Sequence, residues 1–229
     1  MLSDILNVSR NLVKGGRVSL SVTTLVIAHD DDYFLESIGA FQDEIPSFVF
    51  VNKLPFFGEA GDWQKTAEVA EAAGATVVVG EWHGEIEHRT AAGEHLLSLG
   101  YTHALLPDGD EIIEPRLLDT LLKIAEHDLA DTVSVCWDTY WKTPQYVIRP
   151  REPFTPCYLA NLKVAKPVAG HQYRGGRHLH LSEDYGIVHH LSWVGPEERI
   201  QRKLDSWAHA KEVLPGWRDR VWKTLWRWS

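Results

Sequence analysis

Four short runs rich in β-forming residues, Leu25-Val-Ile27, Phe48-Val-Phe-Val51, Thr76-Val-Val-Val79 and Ala104-Leu-Leu106, alternate with stretches whose apolar residues fall at helical spacing. Short apolar runs bounded by turn residues read as buried strands, and apolar stripes at three- and four-residue intervals read as helices. The first strand is expected over Val18 to Ala28, after a short helix at 1–17. Helices are expected from Phe34 to near Pro46, over Trp63 to Ala73, and from about Glu85 to Leu99. A further helix at 115–127 starts on Pro115, a favoured first helical residue, and carries Leu117, Leu118, Leu121, Leu122, Ile124 and Ala125. This order predicts an α/β fold with a mostly parallel sheet and helices on both faces, its topology limited by right-handed crossovers.

Beyond residue 127 the pattern changes. Thr132 to Trp141 alternates as a long antiparallel edge strand would. Pro144, Pro150, Pro153, Pro156 and Pro167 punctuate the chain after it, so this half is expected as short strands and loops laid over the first. Pro196 to His209 reads as a helix. One domain is expected over 1–229, divided into a half at about 18–127, a half at about 128–210 and a Trp/Arg-rich helix at 211–229. That last helix, with Trp217, Trp222 and Trp226 beside Arg218, Lys223 and Arg227, suits a membrane surface or a partner groove, or else folds back on its own domain.

A formal net charge of −9 argues against a protein that grips nucleic acid non-specifically, which requires a basic stripe. Cys136 and Cys157 are too few for a disulfide framework and match no metal knuckle. No apolar run approaches the roughly 18 residues of a membrane span, and the N-terminus lacks the basic and apolar blocks of a secretory signal, so a cytoplasmic location is expected.

The chemistry concentrates in Tyr101–Glu114, where the fourth strand breaks at Pro107 into Asp108-Gly-Asp110-Glu111. Ligands of open α/β sheets bind at the carboxyl ends of strands. Asp108 and Asp110, two apart in an extended segment, can point the same way about 7 Å apart. Such a pair suits Mg²⁺ or Mn²⁺ held jointly with substrate phosphates; Asp-Gly-Asp is also ordinary turn chemistry.

Taken together, Leu105-Leu-Pro-Asp-Gly-Asp-Glu-Ile112 and His190-Leu-Ser-Trp-Val-Gly-Pro-Glu-Glu-Arg-Ile-Gln-Arg-Lys203 resemble the GT-A fold nucleotide-sugar glycosyltransferases, above all family 2, over about 18–210. The resemblance implies a nucleoside-diphosphate sugar donor, a UDP-sugar first, and a glycan, lipid-linked or small-molecule acceptor. It implies that Ala28, His29 and Asp30 line the nucleoside pocket, that Asn52 stands where the family has an Asp contacting base or ribose, and that Arg89 meets base or phosphate. Asp108 and Asp110 would hold metal and diphosphate, with His190 as third ligand or diphosphate contact and His189 as its competitor. A metal-bound imidazole must be neutral, so activity is expected to fall below about pH 6.5.

Glycosyl transfer needs a stabilised leaving diphosphate and, for inversion, a base on the acceptor side. Where related bacterial members carry His-Glu, this chain has His171-Gln172, and an amide takes no proton. Asp184 or Glu183 is then the base of an inverting enzyme; a retaining enzyme needs none. A nucleotidyltransferase is the enzymatic alternative, although the Gly-rich basic loop such enzymes usually carry after the first strand is not visible at 28–34. A carbohydrate- or partner-binding module, with acids that merely cap a turn, is the non-enzymatic one. His83 and His88 flank a glycine loop where a donor could lie, although helix-start histidines are usually on the surface, and Trp137 and Trp141 share a strand face that suits either a sugar platform or core packing.

Overall fold

The computed structural model describes residues 20–27, 33–41, 45–59, 61–206 and 210–224. The expected helix at 1–17 and the candidate pocket residues Ala28, His29 and Asp30 lie outside the described residues, as does the tail from residue 225.

The expected alternation is present: β1 (Leu20–Ile27), α1 (Phe34–Gly39), β2 (Ser47–Asn52), α2 (Trp63–Ala72), β3 (Thr76–Gly80), α3 (Glu85–Ser98) and β4 (His103–Leu105). β1, β2, β3 and β4 are parallel, in the order β3-β2-β1-β4. The chain therefore reverses its direction of travel across the sheet between β1 and β4, which is the switch point where a crevice opens in such folds. β4 ends at Leu105, paired with Val22, while β1 runs on to Ile27. The segment after β4 thus leaves the sheet beside the second half of β1.

β2 is buried along its whole length, as expected of a strand flanked on both sides and covered on both faces. Its Phe48 and Phe50 pack with Ala92 and Leu96 of α3, whereas Val49 and Val51 pack with Ile38 of α1 and Ala70 of α2. Strand alternation thereby seats helices on both faces. α4 (Pro115–Glu126) begins on its proline and buries Leu117, Leu118, Leu121, Ile124 and Ala125 in the largest core cluster.

The second half differs from the expectation in two ways. Thr132 to Trp141 is not one edge strand: it divides into β6 (Thr132–Ser134) and β7 (Trp137–Val147), in different sheets. The alternation of side chains continues through Val135 and Cys136, which hid the break. The half is also not simply laid over the first. β8 (Cys157–Asn161) pairs antiparallel with β4 and with β6, and β11 (His178–His180) adds parallel to β6, giving a seven-stranded sheet β11-β6-β8-β4-β1-β2-β3. A three-stranded sheet is built from β5 (Glu111–Ile113), β12 (Val188–Val194) and β7, and β9 (Lys166–Ala169) with β10 (Gln172–Arg174) forms a hairpin. α5 (Glu197–Ser206) comes directly after β12. No helix among the described residues is long and apolar enough to cross a membrane.

The described part of the tail folds onto the small sheet. Trp217 lies against Trp141 and Trp193, and Trp222 is buried with its indole N–H donating to the Trp193 carbonyl at 3.2 Å. Trp141 is therefore part of an aromatic cluster.

Candidate functional site

Asp108, Gly109 and Asp110 form the bridge from the large sheet to the small one. The Glu111 amide donates to the Asp108 carbonyl at 3.1 Å and the Leu191 amide to the Asp110 carbonyl at 2.8 Å, so the turn is tight and fastened to β12. Register sets the faces of the small sheet. Glu111 pairs with His190, itself opposite Thr139, while Ile112 pairs with His189, opposite Asp138. Neighbours along a strand point to opposite faces, so His190 shares the face of Glu111 and His189 does not.

Asp110 is almost fully buried and paired. Lys203 Nζ lies 2.7 Å and Arg199 Nη2 3.5 Å from Oδ2, with His190 Nε2 at 3.8 Å from Oδ1. Burial would raise this carboxyl, but Lys203, His190 and Arg199 outweigh it and push it well below the usual range. Arg199 and Lys203 stand four apart on α5, which puts them on one helical face. Arg199 also donates to the carbonyls of Ser192 and Val194 at 3.0 and 2.9 Å.

Asp108 is the open member, with 28% of its side chain exposed. Its Oδ1 accepts from Arg89 at 3.3 Å and its Oδ2 meets His171 Nε2 at 2.7 Å. Burial opposes its charge, yet His171 and Arg89 hold it down at about 2. Arg89 is enclosed in α3 and also donates to Glu85 Oε1 at 2.9 Å, so its guanidinium orients Asp108. His171 sits at the β9–β10 turn, just after Gly170 at φ +45°, its carbonyl accepting from the Cys157 amide at 2.8 Å. Burial lowers its pKa, and Asp108 and Glu111 more than reverse this.

Glu111 is fully buried. One carboxylate oxygen accepts from the Asp108 amide at 3.0 Å; the other lies 3.5 Å from His171 Nε2. Burial, with Asp108 and Asp110 adding to it, lifts the acid to about 8 despite His171.

Of the other residues expected from sequence, His190 stacks on Trp137 at 4.1 Å, and burial holds it at about 4, so it is neutral at neutral pH. His189 bonds the Tyr140 hydroxyl at 2.7 Å on the opposite face. Asn52 is fully buried: Nδ2 donates to the Trp82 carbonyl at 2.8 Å, and Oδ1 accepts from the amides of Trp82 and Leu54 at 3.0 and 3.1 Å. An Asp could not donate to that carbonyl, which explains the amide here. Glu183 and Asp184 form an exposed turn that is not brought to the acid cluster. Glu183 pairs with Arg151, which holds Asp138 at 2.7 Å, and Asp184 accepts from Ser182 Oγ at 3.2 Å. His88, expected at the surface, is buried, stacked on Trp82 and bonded to the Phe50 carbonyl at 2.9 Å.

Sequence reasoning left out four members of the site: Glu111, His171, Arg199 and Lys203. The pair on α5 had a signal, two cations on the same helical stripe as buried Ile200. His171 had one in the family resemblance, as the His of the His-Glu position, while Glu111 had none beyond proximity to the acids.

Chemically, the cluster gathers cations held by their own partners around one accessible carboxylate. Asp110 is already balanced. Unit charges 4 Å apart interact by about 4 kcal/mol at an effective dielectric of 20, so a divalent ion at Asp110 would meet about twice that repulsion from each nearby cation. Asp108, Glu111 and His171 fit an ion better, offering atoms within 4.8 Å of one another.

No known protein family matches the chain, and no curated protein matches its sequence. Among solved structures it is similar to S. aureus TarS 1–349 in complex with UDP-GlcNAc, at 11% identity and a TM-score of 0.38 over 58% of this chain and 36% of that one. It is also similar to CMP:2-keto-3-deoxy-manno-octonic acid synthetase complexed with CTP, at 10% identity and 0.42 over 72% and 90%. A protein described as a nucleotide-diphospho-sugar transferase of Desulfovibrio desulfuricans gives 10% and 0.41 over 91% and 94%. The chain spans little more than a third of the TarS chain it matches. Likenesses at this level define no family for it.

Proposed function

We propose that the chain is a glycosyltransferase that moves a sugar from a nucleoside-diphosphate donor, a UDP-sugar in the first instance, to an acceptor hydroxyl with the help of Mn²⁺ or Mg²⁺. The observation that carries this reading is the position of Asp108, a partly open carboxylate at the switch point of a parallel half-sheet, backed by buried Arg89 and His171 and followed by the paired Asp110.

Departure of a nucleoside diphosphate builds up negative charge, and preorganised cations in a water-poor site stabilise it. Arg199 and Lys203 are assigned that task, with Asp110 fixing them and neutral His190 beside them as a hydrogen-bonding contact. A divalent ion, which Asp108 with Glu111 and His171 would hold, would supply further positive charge to the leaving diphosphate. Asp108 faces the diphosphate, and Arg89 sets its orientation. The nucleoside is assigned to Ala28, His29 and Asp30 after β1, because the Asn52 amide is committed to the Trp82 loop. The transfer is read as inverting, and the acceptor-side base is assigned to Asp184 on the sequence resemblance alone, because its turn is not brought to the acid cluster and Glu183 is engaged by Arg151.

The test is incubation with a panel of UDP-sugars and simple acceptors in Mn²⁺, with UDP release and glycosylated product measured. The reading expects sugar-dependent UDP release that Asp108→Asn abolishes. Pyrophosphate release from a nucleoside triphosphate and a sugar phosphate would assign a nucleotidyltransferase instead.

A further inference from the structure

We propose that the divalent-cation site of this protein is formed by Asp108 Oδ2, Glu111 Oε1 and His171 Nε2, and not by Asp108 with Asp110 and His190. The inference deepens the transferase reading by naming the ligands of the cation that reading invokes.

Three side chains from two separate stretches converge here, and each carboxylate has its second oxygen held elsewhere. Asp108 Oδ1 is held by Arg89, leaving Oδ2 directed at His171. Glu111 Oε2 is held by the Asp108 amide, leaving Oε1 3.5 Å from His171 Nε2. Among the described residues that Oε1 atom has no hydrogen-bond partner, although Glu111 is fully buried. A buried carboxylate oxygen left without a donor is costly, and a cation is the ligand that satisfies it. The separations of 2.7 and 3.5 Å bracket the ~3 Å between adjacent ligands of an ion coordinated at about 2.1 Å. With the ion bound both acids are ionised, Glu111 giving up its proton on binding, so two carboxylates match a double positive charge, and a nitrogen beside two oxygens favours Mn²⁺ over Mg²⁺, which keeps to oxygen.

Asp110 lacks these properties. Its carboxylate already contacts Lys203 and Arg199, and an ion there would have to displace or repel both. Asp108 provides the way in, being partly exposed where Glu111 is closed.

The experiment is titration of the 229-residue chain with MnCl₂ in the absence of nucleotide, free Mn²⁺ being read by its paramagnetic resonance signal. Glu111→Gln and His171→Ala should each weaken binding by at least about tenfold, since even loss of a residue supporting a ligand costs that much. Asp110→Asn and His190→Ala should change it by less than about threefold, and Lys203→Met should not strengthen it. Folding is monitored by near-UV circular dichroism, and Asp108→Asn, at the open position, serves if a buried variant fails to fold. Binding kept in Glu111→Gln but lost in Asp110→Asn, or tightened by Lys203→Met, overturns the site, as does no Mn²⁺ uptake by the wild type. In that last case UDP release from a UDP-sugar in EDTA would leave the transferase reading standing. Mn²⁺ bound as stated with no UDP release from any sugar nucleotide sinks that reading and keeps the cation site.

Discussion

Lys203 Nζ lies 2.7 Å from Asp110 Oδ2, joining residues 93 apart in sequence and fastening α5 to the acidic turn. Both groups are buried or nearly so, and Arg199 is the second cation on the same oxygen. The contact fixes the closing helix over the site.

Lys203→Met should therefore cost about 2–4 kcal/mol, somewhat less than the loss of a sole buried partner, because Arg199 remains. The double variant with Asp110→Asn should recover part of that loss. Urea denaturation of the wild type, both single variants and the double variant measures the coupling. A loss below about 1 kcal/mol for Lys203→Met would place the pair with exposed salt bridges.

Asn52→Asp removes the donor to the Trp82 carbonyl and sets a carboxylate against it. The expected cost is about 1–3 kcal/mol for a buried group left unsatisfied, with no gain in UDP affinity. Tighter UDP binding by this variant would show that the position contacts the nucleoside.

His88 is held at about 4 by burial, which outweighs its bond to the Phe50 carbonyl; its ordinary value is 6.5. The folded state then binds fewer protons than the unfolded state between these values. The stabilisation is complete above about pH 6.5 and is lost as pH falls towards 4, by up to about 3 kcal/mol. His190 acts in the same direction. Glu111 acts oppositely: raised from 4.5 to about 8, it contributes stability that is full below its unfolded value and lost as pH rises through 8. His88→Gln should lose less stability than the wild type between pH 7 and 5 in parallel denaturation series. Equal losses would mean that His88 is not a buried neutral group.

The nucleotide half was legible because its signals are local. Phe48–Val51 and Thr76–Val79 are unbroken β-forming runs, Pro115 marks a helix start, and the acids come directly after a strand. What the sequence concealed depends on register or distant pairing. The break between Ser134 and Trp137 leaves side-chain alternation intact, so only the change of sheet reveals it. Nothing in the sequence separates Glu111 from the acids before it, and the parity of β5 turns it into the interior opposite His190. Lys203 and Arg199 share a helical stripe with Ile200, but that stripe does not say which acid they meet; the fold-back onto Asp110 does. The amide of Asn52, puzzling against the family resemblance, reflects its need to donate as well as accept.

Trp222 is buried at the end of the described tail, with its N–H on the Trp193 carbonyl and Lys142 over its ring at 5.1 Å. Trp222→Ala should lower stability by about 3 kcal/mol, the lower end for a large buried aromatic. Thermal melting checks this, and an unchanged midpoint would free the indole for an external surface.

The central claim is that a nucleoside diphosphate binds beside Asp108 with a divalent cation, and calorimetric titration of the 229-residue chain with UDP, in Mn²⁺ and in EDTA, tests it most directly. The account predicts binding in Mn²⁺ that weakens at least about tenfold in EDTA and likewise in Asp108→Asn, a difference of about 1.4 kcal/mol or more. Absence of binding in Mn²⁺, or equal affinity in EDTA and in Asp108→Asn, would contradict it.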